Sequence, residues 1–258
     1  MVALSGRGIG PRMEFRDQVI AVCGVDNAFG WCVVDTLLRK GARAVVAIGG
    51  TANCAPIEGA VDWPGRSGGG ELISLPDAAL DRSEDIAAPL GEHGGIDAVI
   101  NLIVLCPHPR GHDGETANDV VARRTSRVVD AVGGLLRSGQ AHPAIVNCGW
   151  HTPCADNALS AQTAVAAGSL EVLTKALAKE LAPRFRVNAV LSMAVPASGA
   201  TAPGQSGVVD GATRQLEEAA GPALFLASAA ARHMTGTVLL ADAGRSLGFS
   251  AFSRPDET

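Results

Sequence analysis

"DQVIAVCG", residues 17 to 24, followed by "FGWCVVDTLLRKGA", residues 29 to 42, is the stretch on which the fold turns. The first run is short, β-branched and closed by glycine, the pattern of a strand buried on both faces that ends in a tight turn. In the second, apolar residues at 29, 33, 34, 37 and 38 recur at helical spacing. Together they make a strand-turn-helix unit. Five further apolar runs repeat the strand half: "ARAVVAI" (42–48), "IDAVINLIVL" (96–105), "PAIVNCGW" (143–150), "FRVNAVLS" (185–192) and "GTVLLAD" (236–242). The helical stretches 119–138, 160–183 and 212–228 lie between them as crossovers. This alternation predicts an α/β fold, a single Rossmann-type doubly wound parallel sheet with helices on both faces.

A chain of 258 residues suits one such domain, expected over 15–258, with 1–14 as a flexible N-terminal extension. Within that extension "GRGIG" (6–10) has no strand before it and a proline after it, so it is not a dinucleotide fingerprint; Met13 is an alternative start. The Gly-, Pro- and Ser-rich stretch 192–207 reads as a loop over the strand ends. A net charge of −5 with scattered Lys and Arg offers no footprint for nucleic acid or for an anionic membrane surface. No apolar run reaches the length of a membrane span and no signal peptide is visible, so a cytoplasmic location is expected. Six cysteines spread through strands and loops read as reduced, mostly buried thiols.

Five blocks in order, "VIAVCGVDNAFG", "DAVINLIV", "AIVNCGW", "TKALAKELAPRFRVNAV" and "PALFLASAAARHMTGTVLLADAG", resemble the glycine loop, central-strand motif, serine strand, active-site helix with its following strand, and C-terminal signature of the short-chain dehydrogenase/reductase family. The resemblance spans about 17 to 247, and its last two blocks are the most specific. It implies a nicotinamide cofactor and a Ser-Tyr-Lys catalytic group. Here those positions hold Trp150, Thr163 and Ala167, and the chain contains no tyrosine. A threonine hydroxyl is too weak an acid to replace a lysine-activated phenol. The family's asparagine in the preceding helix falls near Ala122.

The cofactor positions that the resemblance implies have changed as well. Gly24 and Gly30 remain in the glycine loop, but the middle glycine is Ala28, and Asp26 is expected to put a carboxylate near the phosphates. The ribose-binding acid falls on Ile48, followed by Gly49 and Gly50. The Asn-Asn-Ala-Gly motif reads Asn101, Leu102, Ile103 and Val104, expected to fill space on the adenosine side; the adenine-contacting pair becomes Leu75 and Pro76. Ser192, Met193 and Ala197 stand where the nicotinamide amide would be met. The degenerate site is expected to hold no cofactor in this chain.

Two functions follow as expectations. The first is a catalytically inactive subunit that pairs with and stabilises an active short-chain dehydrogenase paralogue in a dimer or tetramer, the partner carrying NAD(P); some benzylsuccinate-pathway dehydrogenases resemble this arrangement. The stripe Ala166, Leu170, Leu173, Leu177 and Leu181, with small Ala164, Ala167, Gly168 and Ala178, suits helix pairing. The alternative is a non-redox isomerase, dehydratase or cyclase in the vacated pocket around His151, with Cys154, Asp156 and His108 nearby and Trp150 as an apolar floor. A metal variant would draw on Cys106, His108, His112 and Asp113 in one loop and Cys148, His151 and Cys154 in the next; the plain reading is a buried Cys148, solvated histidines and no metal. A ligand sensor is a third possibility, disfavoured by the altered glycine loop.

Overall fold

The computed structural model describes residues 13–26, 28–49, 69–103, 116–137, 143–151, 159–193 and 219–242. Seven strands form one sheet: β1 (Val19–Cys23), β2 (Ala44–Ile48), β3 (Glu71–Leu75), β4 (Ala98–Leu102), β5 (Ala144–His151), β6 (Arg186–Met193) and β7 (Val238–Ala241). The order across the sheet is β3-β2-β1-β4-β5-β6-β7 and every pairing is parallel. This is the expected doubly wound sheet. The order in which successive strands are laid across the sheet reverses between β1 and β4, so the carboxyl ends there open a crevice where ligands bind in such folds.

The strands follow from burial. Every residue of β1, β2 and β4 is buried, so their side chains serve two apolar layers at once, and β-branched residues suit that pleated, two-sided environment. The helices α1 (Ala28–Arg39), α2 (Ser83–Leu90), α3 (Ala117–Gly133), α4 (Leu159–Leu181) and α5 (219–227) cover the faces. On one face Phe29, Val33 and Leu37 of α1 and Ala223 and Leu224 of α5 pack beneath Val22, Ile100 and Val146. On the other, α2, α3 and α4 bury Ile86, Val128 and Ala178 against Ala21, Val99 and Ile145.

Helix α3 starts two residues before its expected position because Thr116 and Asp119 form a capping box: the Thr116 hydroxyl accepts from the Asp119 amide at 3.3 Å, and the Asp119 carboxylate accepts from the Thr116 amide at 2.9 Å. The Thr116 hydroxyl also donates to the Asp119 carboxylate at 2.7 Å, and this bond, with the Thr116 amide second, holds the Asp119 carboxyl below its ordinary range. Strand β3 and helix α2 were not expected. In β3 only Ile73 is buried, so this edge strand carries none of the apolar density that marks the central strands.

The expected extension over 1–14 lies outside the described residues except for Met13 and Glu14, while Phe15 is wholly buried under α1. The loop expected over 192–207 lies outside them beyond Met193. Among the described residues, no helix is long and apolar enough to cross a membrane.

Candidate functional site

The carboxyl ends of β1, β2, β4, β5 and β6 define the site. Strand β1 ends at Cys23, and Gly24 turns the chain with a φ of 89°. A Cβ on Gly24 would lie 2.4 Å from the Leu102 carbonyl oxygen, and one on Gly30 would lie 2.9 Å from the Val25 Cα. Both glycines let the turn and α1 close onto the sheet. The Gly24 and Val25 amides donate to the Ile48 carbonyl at 2.7 and 3.2 Å, seating the turn on the end of β2.

That seating decides where Asp26 goes. Its Oδ1 stands 2.9 Å from the point a Cβ would occupy on Gly49. The carboxylate therefore leans toward the end of β2, a correction to the expectation that it stands among the phosphates. Ile48 is wholly buried and packs in the core, so it does not touch the crevice.

Leu102 and Ile103 are both buried. Leu102 packs beneath α1 with Phe29 and Val33, and Ile103 joins Val121, Ala166, Ala167, Leu170 and Leu191 in an apolar cluster between the sheet, α3 and α4. Both also border the small cavity at the strand ends. Ala167, at the family's lysine position, is buried in this cluster, where the absent ammonium would have had an apolar neighbour in Ile103. Asn101 is wholly buried and donates to Asn147 Oδ1 on the neighbouring strand at 3.0 Å.

A cavity of about 10 Å³ lies at the ends of β4, β5 and β6, lined by Leu102, Ile103, Cys148, Gly149, Val190 and Ser192 from the strand ends and by Phe29, Ala219 and Ala223 from the helices. It has room for about one water. Ser192 and Cys148 supply its polar side chains. Burial pushes the Cys148 thiol up to about 12, so it stays protonated at physiological pH. Burial does the same to Cys23, also to about 12, against a smaller downward pull from Arg124 and a smaller upward push from Asp77. Native protein treated with iodoacetamide at pH 8 is therefore expected to leave Cys23 and Cys148 unlabelled until denaturant is added. Fast native labelling of Cys148 in peptide mass spectra would mean that the cavity admits solvent freely.

On the β3 side, Arg124 of α3 brings Nη2 to 3.0 Å from the Cβ position of Gly24 and pairs with Asp77 at 3.3 Å. Arg127 holds Asp77 and Asp81 at 2.6 and 2.7 Å. The motif reading missed both arginines, since their placement depends on how α3 packs and no local pattern marks it.

Trp150 and His151 fall in β5, paired with Ser192 and Met193, and Thr163 falls in α4; the side chains of Trp150, His151 and Thr163 lie outside the described residues. So do Cys106, His108, His112, Asp113, Cys154 and Asp156. Among the described residues no group of three His, Cys, Asp or Glu is placed to hold a metal.

The described residues fit the adenosine half of a dinucleotide. Gly24 and Gly30 keep the strand-turn-helix approach, α1 begins at the crevice, and a carboxylate stands at the end of β2. Ala28 is the departure there, one methyl larger than the family's middle glycine.

Residues 24–246 match the family model described as enoyl-(acyl carrier protein) reductase. The chain belongs to that family, within the short-chain dehydrogenase/reductases. It is 27% identical over 252 residues to the 3-oxoacyl-[acyl-carrier-protein] reductase FabG of Escherichia coli (strain K12), covering 90% of this chain and 98% of the relative, and the Shigella flexneri protein of the same description matches equally. Among solved structures, a short-chain type dehydrogenase/reductase from Mycobacterium ulcerans superposes with a TM-score of 0.69 at 21% identity, covering 91% of each chain. A short-chain dehydrogenase/reductase from Brucella melitensis, described as a glucose/ribitol dehydrogenase, gives 0.64 at 17% identity, covering 90% of this chain and 97% of that one. These matches correct the functional expectation. A chain that aligns almost end to end with a reductase family is read as an oxidoreductase of that family, in place of an inactive partner subunit or a non-redox catalyst around His151.

Proposed function

We propose that the protein is a short-chain oxidoreductase that uses a nicotinamide dinucleotide to reduce an oxo or enoyl group on an acyl thioester, without the family's Ser-Tyr-Lys group. The match across residues 24–246 to a reductase family carries this reading. The acyl thioester class comes from the descriptions of that family and of the curated relatives.

When bound, the dinucleotide supplies a hydride. The residues of this chain bind and orient. Gly24, Asp26, Gly30 and Gly49 would hold the adenosine half, and Phe29, Leu102 and Val190 give the cavity at the strand ends an apolar lining. The Ser192 hydroxyl is the hydrogen-bond donor at the cavity, and the protonated Cys148 thiol is a weaker one. Neither is an acid of the strength of a lysine-activated phenol, so turnover is expected to be about 10²–10⁴-fold below that of tyrosine-bearing relatives.

The test incubates purified protein with NADH or NADPH and a panel of 3-oxoacyl and 2-enoyl thioesters, following dinucleotide oxidation and the reduced product by mass spectrometry. Slow, protein-dependent formation of one reduced thioester is the expected result. No product with any pair, at protein concentrations matching the substrate, would overturn the reading.

A further inference from the structure

Between the sheet and the helices α3 and α4 lie two separate apolar clusters, a lower one that includes Val99, Ile145 and Val187 and an upper one, nearer the strand ends, that includes Ile103, Ala189 and Leu191. A polar layer divides them. On β4, Asn101 stands between Val99 of the lower cluster and Ile103 of the upper one. On β5, Asn147 stands between Ile145 and Gly149, whose Cβ position is 2.7 Å from Leu170 Cδ2 of the upper cluster. Side chains two residues apart on a strand share a face, so both asparagines face α3 and α4. On α3, Thr125 lies one turn after Val121 of the upper cluster and one turn before Val128 of the lower; on α4, Thr174 lies one turn after Leu170 and one turn before Ala178. Four elements thus bring a polar side chain to one level of the core, and all four side chains are wholly buried.

The bond from Asn101 to Asn147 leaves Asn101 Oδ1 and Asn147 Nδ2 without a hydrogen-bond partner among the described residues, and the Thr125 and Thr174 hydroxyls have none either. A helical threonine can bond back to the carbonyl of the preceding turn, and neither does so here. Turning both amides over reverses the Asn–Asn bond and again frees one donor and one acceptor. Buried polar atoms left in that state are costly, so a partner is required. The free groups are one acceptor, one donor and two hydroxyls that can act either way, which is the complement of a molecule with two protons and two lone pairs. A cation would meet the Asn147 amide protons and an anion would meet Asn101 Oδ1, so the occupant is neutral. We propose that Asn101, Asn147, Thr125 and Thr174 hold a buried water between the sheet and helices α3 and α4. The water donates to Asn101 Oδ1 and to one threonine oxygen, and accepts from Asn147 Nδ2 and from the other threonine hydroxyl. Thr174 lies about two turns below Ala167 on α4, so the bridge fixes the height at which that helix stands over the strand ends.

The test begins with a high-resolution crystal structure of the wild-type chain, expected to show an ordered water within hydrogen-bond distance of about three or all of these four atoms. In solution, oxygen-17 relaxation dispersion counts waters trapped in the interior. The double variant Thr125→Val/Thr174→Val keeps the shape of both side chains, removes both hydroxyls, and is expected to lose about one trapped water relative to wild type. Each single valine variant should lower the urea midpoint, and the double variant should fall by less than the sum, because both hydroxyls serve one molecule. Direct threonine–asparagine hydrogen bonds with no water between them, an unchanged count of trapped waters, or strictly additive losses would each overturn the proposal. If the double variant does not fold, the single variants and the wild-type crystal structure decide in the same way.

Discussion

Replacing Arg186 by methionine is expected to destabilise the fold by about 3–5 kcal/mol, a large share of the ~5–15 kcal/mol that holds a domain of this kind together. Arg186 opens β6 and is buried, and burial lowers the pKa of its guanidinium. Nη1 donates to the carbonyls of Leu226 at 3.0 Å, Ala231 at 3.0 Å and Met234 at 3.4 Å, and Nη2 donates to that of Ser228 at 3.3 Å. Four buried or half-buried carbonyls thus converge on one fork of donors, which methionine fills in volume and leaves without hydrogen. Leaving buried acceptors unpaired costs more than the bonds add, which is why the effect should be this large. Arg127→Met is the contrast. Arg127 also binds several acceptors, but Asp77 and Asp81 are 39% and 63% exposed, water replaces the lost donor, and the loss should stay near 1 kcal/mol. Urea denaturation gives both values, and amide exchange should quicken first at Ser228, Ala231 and Met234 in the Arg186 variant. An Arg186→Met protein within about 1 kcal/mol of wild type would show that those carbonyls find other partners.

The same contacts explain why two blocks of sequence announced the family more clearly than the rest. "FRVN" and "ARHMTGTV" are halves of one structure. Asn188 donates to the Met234 carbonyl at 2.9 Å and accepts from the Thr237 amide at 3.0 Å, while the Val187 amide donates to the Thr235 hydroxyl at 3.1 Å. Side chains that satisfy distant backbone leave little freedom to vary, so they stay readable. The central strands were legible for a different reason, burial on both faces, and β3 was not, because an edge strand with one buried residue leaves no apolar run.

The site was legible by residue type and less so by direction. That Ala167 cannot do a lysine's work is plain from the sequence, but its packing with Ile103 depends on how α4 meets the sheet. Leu102 and Ile103 were read as facing a ligand because their motif faces one in the family; here each joins an apolar cluster and also borders the small cavity at the strand ends. Asp26 could be named from the sequence but not placed, since its position follows from two backbone hydrogen bonds to Ile48. Reading function from missing residues failed in the same way. The absence of a tyrosine states which proton donor is gone, and it does not state which reaction the other residues retain.

Gly24→Ala separates what the fold demands of the glycine turn from what a ligand would demand. At a φ of 89° an L side chain is strained by about 1–3 kcal/mol. The new methyl would also stand 2.4 Å from the Leu102 carbonyl oxygen, which belongs to β4, hydrogen-bonded between β1 and β5 at the centre of the sheet. Neither strand can yield cheaply, and overpacking adds about 1–3 kcal/mol. A total of about 2–6 kcal/mol is expected in denaturant titration, with no ligand present. Gly168→Ala provides the opposite sign. Gly168 sits in α4 with nothing within 4 Å of its Cβ position, so the change should stabilise the protein by about 0.5–1 kcal/mol. If Gly24→Ala instead keeps wild-type stability and loses only dinucleotide affinity, the glycine is held for the ligand. If the stability loss is as large as the geometry requires, Gly24 belongs to the fold whatever the chain binds.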